Sequence, residues 1–227
     1  MIQFSEVTKR YNGHDALSNV NLDIDDSEFV FLIGPSGAGK TTVLKLLIRE
    51  ELPTYGRIFL DNWELNSLPI SHLPHLRRRV ATIFQDFKLL PQKTVSENVS
   101  FPMEILNIPD QEIHRATTEM LEIVRLANKA SHFPNQLSGG EIQRAAIARA
   151  MIMRPDVLLA DEPTGNLDPQ SAWEVMQLLG KLNKLGTTVL MATHNFDITS
   201  SLTHRKIEIK EGKIAADTKS KAAAKHK

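Results

Sequence analysis

The chain has 227 residues, of which 27 are Lys or Arg and 27 are Asp or Glu, and it contains no cysteine. That length can bury a core as one domain with an inserted lobe, the balanced charge argues against a nucleic-acid binder, and the absence of cysteine excludes disulfides and thiolate metal sites. Residues Met1–Glu6 have neither a basic n-region nor an apolar h-region, and the longest apolar runs fall short of the roughly 18 residues of a membrane span, so the chain reads as a soluble cytosolic protein.

In chain order, Ile2, Phe4 and Val7, then Val20, Leu22 and Ile24, and later Ile58 and Leu60, predict a small antiparallel sheet. Glu28–Ile33 is an apolar run of strand length, as are Val157–Ala160 and Thr187–Thr193, and all three read as buried parallel strands. Each runs directly into polar residues: Gly34, then Asp161 and Glu162, then His194. Open α/β sheets bind ligands beyond the carboxyl ends of their strands, so these groups are expected to meet at one edge. Between Asp86 and Pro155 the pattern turns helical, with apolar residues at Ile113, Met120, Leu121, Ile123, Val124 and Leu126 striping a helix over Glu112–Leu126. The expected organisation is one domain over 1–216, with 1–85 and 156–216 as its α/β core and 86–155 as a helical insertion. The basic stretch 217–227 reads as a flexible tail, with weak attraction to anionic lipid as the alternative.

Residues Gly34, Pro35, Ser36, Gly37, Ala38, Gly39, Lys40 and Thr41 fit the phosphate-loop pattern G-x-x-x-x-G-K-[ST], between a strand and a helix predicted over Thr42–Ile48. Backbone amides at such a helix start receive phosphates, Lys40 is expected to reach the β- and γ-phosphates, and the Thr41 hydroxyl to ligate Mg²⁺. The strand ending in Asp161 sets a carboxylate beside that metal, with Glu162 next to it to orient and polarise a water. The expected cofactors are therefore ATP and Mg²⁺, with hydrolysis as the chemistry.

Ser138-Gly139-Gly140-Glu141 is a capping box ahead of a helix over Ile142–Met153 that ends before Pro155. Two glycines in a first helical turn cost roughly 1 kcal/mol each relative to alanine, which favours a ligand role for the bare amides of this turn.

With Leu137 before it, this turn resembles the signature of the ABC ATPases, and the resemblance extends over essentially residues 1–215. It implies a RecA-like P-loop NTPase core with a small antiparallel β-subdomain and an inserted helical subdomain. It further implies that Tyr11 stacks on adenine, that Gln85 is the Q-loop glutamine serving metal and catalysis, that Asp168 closes the D-loop Asn166-Leu167-Asp168, and that His194 touches the γ-phosphate. Thr42 completes the phosphate loop, and Ser138, Gly139 and Gly140 contact the γ-phosphate held by another copy. One phosphate loop and one signature per chain make a homodimer with two ATP the economical assembly.

Thr164-Gly165-Asn166-Leu167-Asp168 resembles the subgroup of lipoprotein-release, macrolide-export and cell-division ATPases. Arg77-Arg78-Arg79-Val80 and Ile83-Phe84-Gln85-Asp86-Phe87 are most similar to its FtsE family. That resemblance implies a peripheral subunit at the cytoplasmic face of the membrane, an FtsX-like permease partner and an indirect link to peptidoglycan hydrolases. An ATPase of lipoprotein release or macrolide export is the alternative, and a small-molecule kinase is the rival from another class. Two positions depart from common patterns: Asn195 follows His194 where aspartate is frequent, and Ile48-Arg49-Glu50-Glu51 stands where a glycine is common.

Overall fold

The computed structural model describes residues 1–84 and 86–219. Gln85 and residues 220–227 of the basic tail lie outside the described residues. In chain order the elements begin with strands β1 (Ile2–Tyr11), β2 (His14–Ile24) and β3 (Phe29–Ile33) and helix α1 (Lys40–Leu47). Strands β4 (Tyr55–Leu60) and β5 (Trp63–Glu64), helix α2 (Leu73–Arg79) and strand β6 (Val80–Ile83) follow. Next come α3 (Val95–Ile105), α4 (Asp110–Ile123), α5 (Gly139–Met151), β7 (Val157–Asp161), α6 (Pro169–Lys184), β8 (Thr188–Thr193), α7 (Phe196–Ser200), β9 (Arg205–Lys210) and β10 (Lys213–Asp217).

The strands form two sheets. A four-stranded antiparallel sheet runs β2-β1-β4-β5, built on the apolar alternation of its first strands. The spacing Phe4 to Val7 breaks strict period two, and the register shift between them accounts for it. Glu6 sits at φ 52°, a bulge that returns Val7 to the buried face. The second sheet runs β10-β9-β3-β8-β7-β6, with every pairing parallel except β10-β9.

The parallel strands are apolar throughout because both faces are covered. Val30, Leu32, Val157, Leu159, Leu190 and Ala192 face one core, shared with α1 and the antiparallel sheet. Phe29, Phe31, Leu158, Ala160, Val189 and Met191 face another, filled from α3, α4, α5 and α6. Helix α5 bridges the layers, packing on α3 and α4 as well as on α6 and β6.

Several boundaries differ from the sequence pattern. The helix expected over Glu112–Leu126 runs Asp110–Ile123, and Val124 and Leu126 enter the core from the turn that follows. The helix expected from Ile142 starts three residues earlier, at Gly139, because Ser138 is its N-cap. Likewise α1 starts at Lys40, directly after the loop glycines.

Candidate nucleotide site

Sheet register brings the polar strand ends together. Ile33 pairs with Thr193, and Asp161 pairs with Ala192, so Gly34, His194 and Glu162 leave three adjacent strands at one level. Ile83 pairs with Ala160 on the far side of β7, which brings the end of β6 to the same edge.

The loop between β3 and α1 is wound tightly against the rest of the chain. Gly39 caps α1 at φ 111°, and a Cβ there would lie 2.6 Å from the Ala16 carbonyl oxygen on β2. Only glycine meets both demands. The same approach fixes the hairpin that carries Tyr11, which pairs with His14 at the β1–β2 turn. Tyr11 is half-buried, with the Lys9 ammonium 4.7 Å from its ring centroid and Lys9 in turn held by Glu51 at 2.7 Å.

Lys40 is buried, and its ammonium donates to the carbonyls of Gly34 at 2.8 Å and Pro35 at 3.1 Å. The Thr41 hydroxyl donates to Asp161 Oδ1 at 3.3 Å. Burial raises the Asp161 carboxyl above its ordinary range, and repulsion from Glu162 adds to this, while the Thr41 hydrogen bond opposes it. Glu162 sits at φ 49°, its amide bonded to the Ala192 carbonyl at 3.0 Å, and its Oε1 lies 2.7 Å from His194 Nδ1. Hydroxyl and carboxylate oxygens suit a hard cation, and Mg²⁺ characteristically takes only one or two protein ligands beside phosphates and water, so Thr41 and Asp161 fit such an ion.

The Ser138–Glu141 turn forms the expected reciprocal cap. Glu141 N donates to Ser138 Oγ at 3.3 Å and Ser138 N donates to the Glu141 carboxylate at 2.8 Å, which holds that carboxyl below its usual range. Asp168 caps α6, accepting from Gln170 N and Ser171 N at 3.0 Å each. Among the described residues no hydrogen bond or ion pair joins the Ser138–Glu141 turn to the 34–42 loop.

Arg149 was not marked by the sequence pattern, although it lies on α5 one turn after the buried Ala145 and Ala146. It donates to the carbonyls of Phe87 at 3.1 Å and Lys88 at 2.7 Å, in the turn just after Gln85. Burial lowers its guanidinium from the ordinary value. Beside it a groove of about 450 Å³ runs between α2, β6, α3 and α5, lined by Arg77, Phe84, Phe87, Phe101, Ile105 and Met153 among others.

The ABC transporter family model matches residues 17–165. A dimeric ATP-binding cassette in a post-hydrolysis state bound to ADP and Pi has a TM-score of 0.85 and 38% identity, covering 96% of this chain and 97% of that one. A dimeric bacterial ABC transporter cassette also scores 0.85, at 39% identity. The chain is thus an ABC ATPase cassette, an enzyme that binds and hydrolyses ATP. The cell division ATP-binding protein FtsE of Bacillus subtilis is 48% identical over 96% of both chains, and that of Mycobacterium tuberculosis 48% over 96% of this chain and 95% of its own. FtsE of Escherichia coli is 42% identical over 94% of this chain and 97% of its own. This chain belongs to the FtsE family.

Proposed function

We propose that two copies of this chain close head to tail on two ATP molecules, and that hydrolysis reopens them to drive an FtsX-like membrane partner that regulates peptidoglycan hydrolases. The observation that carries this reading is the division of the site. The loop, Asp161, Glu162 and His194 converge at one sheet edge, whereas the signature turn caps a separate helix without bonding to them. The dimeric cassettes it resembles support the two-chain assembly.

In this mechanism Tyr11 stacks on adenine, and the amides of residues 34–42 with the Lys40 ammonium bind the phosphates. Thr41, Asp161 and Gln85 would hold Mg²⁺, which supplies charge neutralisation on the phosphates. Glu162 orients and polarises the water that attacks the γ-phosphate, His194 contacts that phosphate, and Ser138, Gly139, Gly140 and Asp168 close over the partner's nucleotide.

The assigned organisation is a core of 1–85 and 156–216 with 86–155 as the helical insertion. The groove beside Phe87, with its arginine rim and exposed Ile105, suits a short amphipathic helix from the membrane partner. No helix among the described residues is long and apolar enough to cross a membrane, so coupling to a membrane process needs such a partner. The chain is assigned to the cytoplasmic face as a peripheral subunit.

Affinity capture from solubilised native membranes with the Glu162→Gln chain and ATP tests the assignment. Recovery of an FtsX-like permease is expected. Recovery of a lipoprotein-release or macrolide-export permease in its place would contradict the division role.

A further inference from the structure

The first two turns of α5 and α6 are clasped at two points, neither of them in the 34–42 loop or at Asp161, Glu162 or His194. At the first, Gly140 faces Ser171. A Cβ at Gly140 would lie 2.7 Å from Ser171 Oγ and 2.9 Å from Ser171 Cβ, closer than a methyl group tolerates. About one turn further along each helix, Arg144 Nη1 donates to Glu174 Oε2 at 2.9 Å, with the arginine side chain 15% exposed and the glutamate 37%.

Contacts at 140 with 171 and at 144 with 174 mean that the helices run side by side with their N-termini together. The N-cap of one is Ser138 and that of the other is Asp168. Ser171 also closes the second cap, its amide donating to Asp168 Oδ1 at 3.0 Å, and hydrogen bonding from Ser171 holds the Asp168 carboxyl below the usual range. One serine therefore sits against Gly140 of the signature turn and against Asp168 of the neighbouring turn.

We propose that Ser171 and Glu174 are positioning residues. They lock the Ser138–Glu141 turn to the Asp168 turn, so that both meet the partner copy's nucleotide as one rigid edge. On this account Gly140 is glycine because Ser171 occupies the space of its side chain, and not solely because a phosphate must approach it. Arg144 and Glu174 hold the register of the seam. The inference rests on the two-chain reading above and specifies which residues outside the ligand contacts make closure possible.

The test is sedimentation of the Glu162→Gln chain with Mg²⁺ and ATP across a range of protein concentrations, alone and with added changes at the seam. A fluorescent ATP analogue, at protein concentrations too low for pairing, measures nucleotide binding by the single chain. Gly140→Ala is expected to raise the dimerisation midpoint by about tenfold, and Ser171→Gly in the same chain to recover much of that loss. Glu174→Ala is expected to raise it by about fivefold, as for a partly exposed ion pair, with the reversed pair Arg144→Glu and Glu174→Arg restoring it. Single-chain nucleotide affinity stays within about twofold throughout, because the phosphate loop lies elsewhere.

Absence of recovery in both double variants overturns the inference. So does nucleotide binding that falls in step with dimerisation, which marks a general loss of structure. Failure of the Glu162→Gln parent to pair with ATP would overturn the two-chain reading itself, and the inference with it.

Discussion

His194 Nδ1 lies 2.7 Å from Glu162 Oε1, although 32 residues separate them in sequence. The pairing follows from sheet register: β7 and β8 are adjacent and parallel, so the residues just beyond their ends emerge together. The carboxylate proposed to orient the attacking water is thus hydrogen-bonded to the histidine proposed to contact the γ-phosphate. Glu162→Gln keeps the hydrogen-bonding shape and removes the base. Its turnover should fall by about a hundredfold or more, the scale of general-base catalysis, with ATP binding retained. Phosphate release under saturating ATP measures this, and an unchanged rate would remove Glu162 from the mechanism.

The Lys40 ammonium donates to the Gly34 and Pro35 carbonyls, and in the proposed mechanism it makes charge-assisted bonds to phosphate. Lys40→Ala loses these at about 1.5–3 kcal/mol, which is a loss of roughly tenfold to a hundredfold in affinity. Titration with a fluorescent ATP analogue reads the loss directly.

Asp161 gives a stability test with a definite sign. Its carboxyl titrates above the ordinary range because burial disfavours the charge, so folding without nucleotide binds its proton more tightly than the unfolded chain does. The charged carboxylate therefore weakens the nucleotide-free fold fully above the raised value. The penalty fades as pH falls through it and is gone below the unfolded carboxylate value of about 3.9. Asp161→Asn should raise the melting temperature at pH 7.5, with a gain that shrinks towards pH 4.5. The same variant should lose the Mg²⁺ dependence of ATP binding. A melting temperature that drops at neutral pH would contradict this account.

Arg149 ties α5 to the turn after Gln85 through two main-chain carbonyls. Arg149→Ala should cost about 2–3 kcal/mol of stability by leaving those bonds unmade, and should sever the link from the groove to the signature helix. The expected signature is loss of stimulation by the membrane partner, with basal turnover of the soluble chain little changed. ATPase assays with and without the reconstituted partner measure both; equal losses in the two conditions would argue against a coupling role.

Much of the fold was legible because β3, β7 and β8 are buried on both faces and read as uninterrupted apolar runs. Strand β6 was not, being four residues long with Ala81 and Thr82 half-buried, and neither was β9, whose charged residues alternate with Ile207 and Ile209. The phosphate loop and the capped signature turn were legible because their chemistry is local to a few residues. The Glu162–His194 pair, the turn of Lys40 onto its own loop and the Gly140–Ser171 contact were not, because each depends on tertiary approach. Arg49 shows how a departure from pattern is absorbed. Where the resembled family commonly has glycine after the first helix, it adopts φ 57° and donates to the Leu68 carbonyl at 2.6 Å, offsetting left-handed strain with a hydrogen bond.

In the proposed assembly one chain holds only half of each catalytic site. Specific ATPase activity measured against protein concentration tests it most directly. Activity per chain is expected to rise with concentration and level off as pairs form, and Ser138→Arg is expected to abolish the rise. Constant activity per chain at every concentration, unaffected by the change at Ser138, would contradict it.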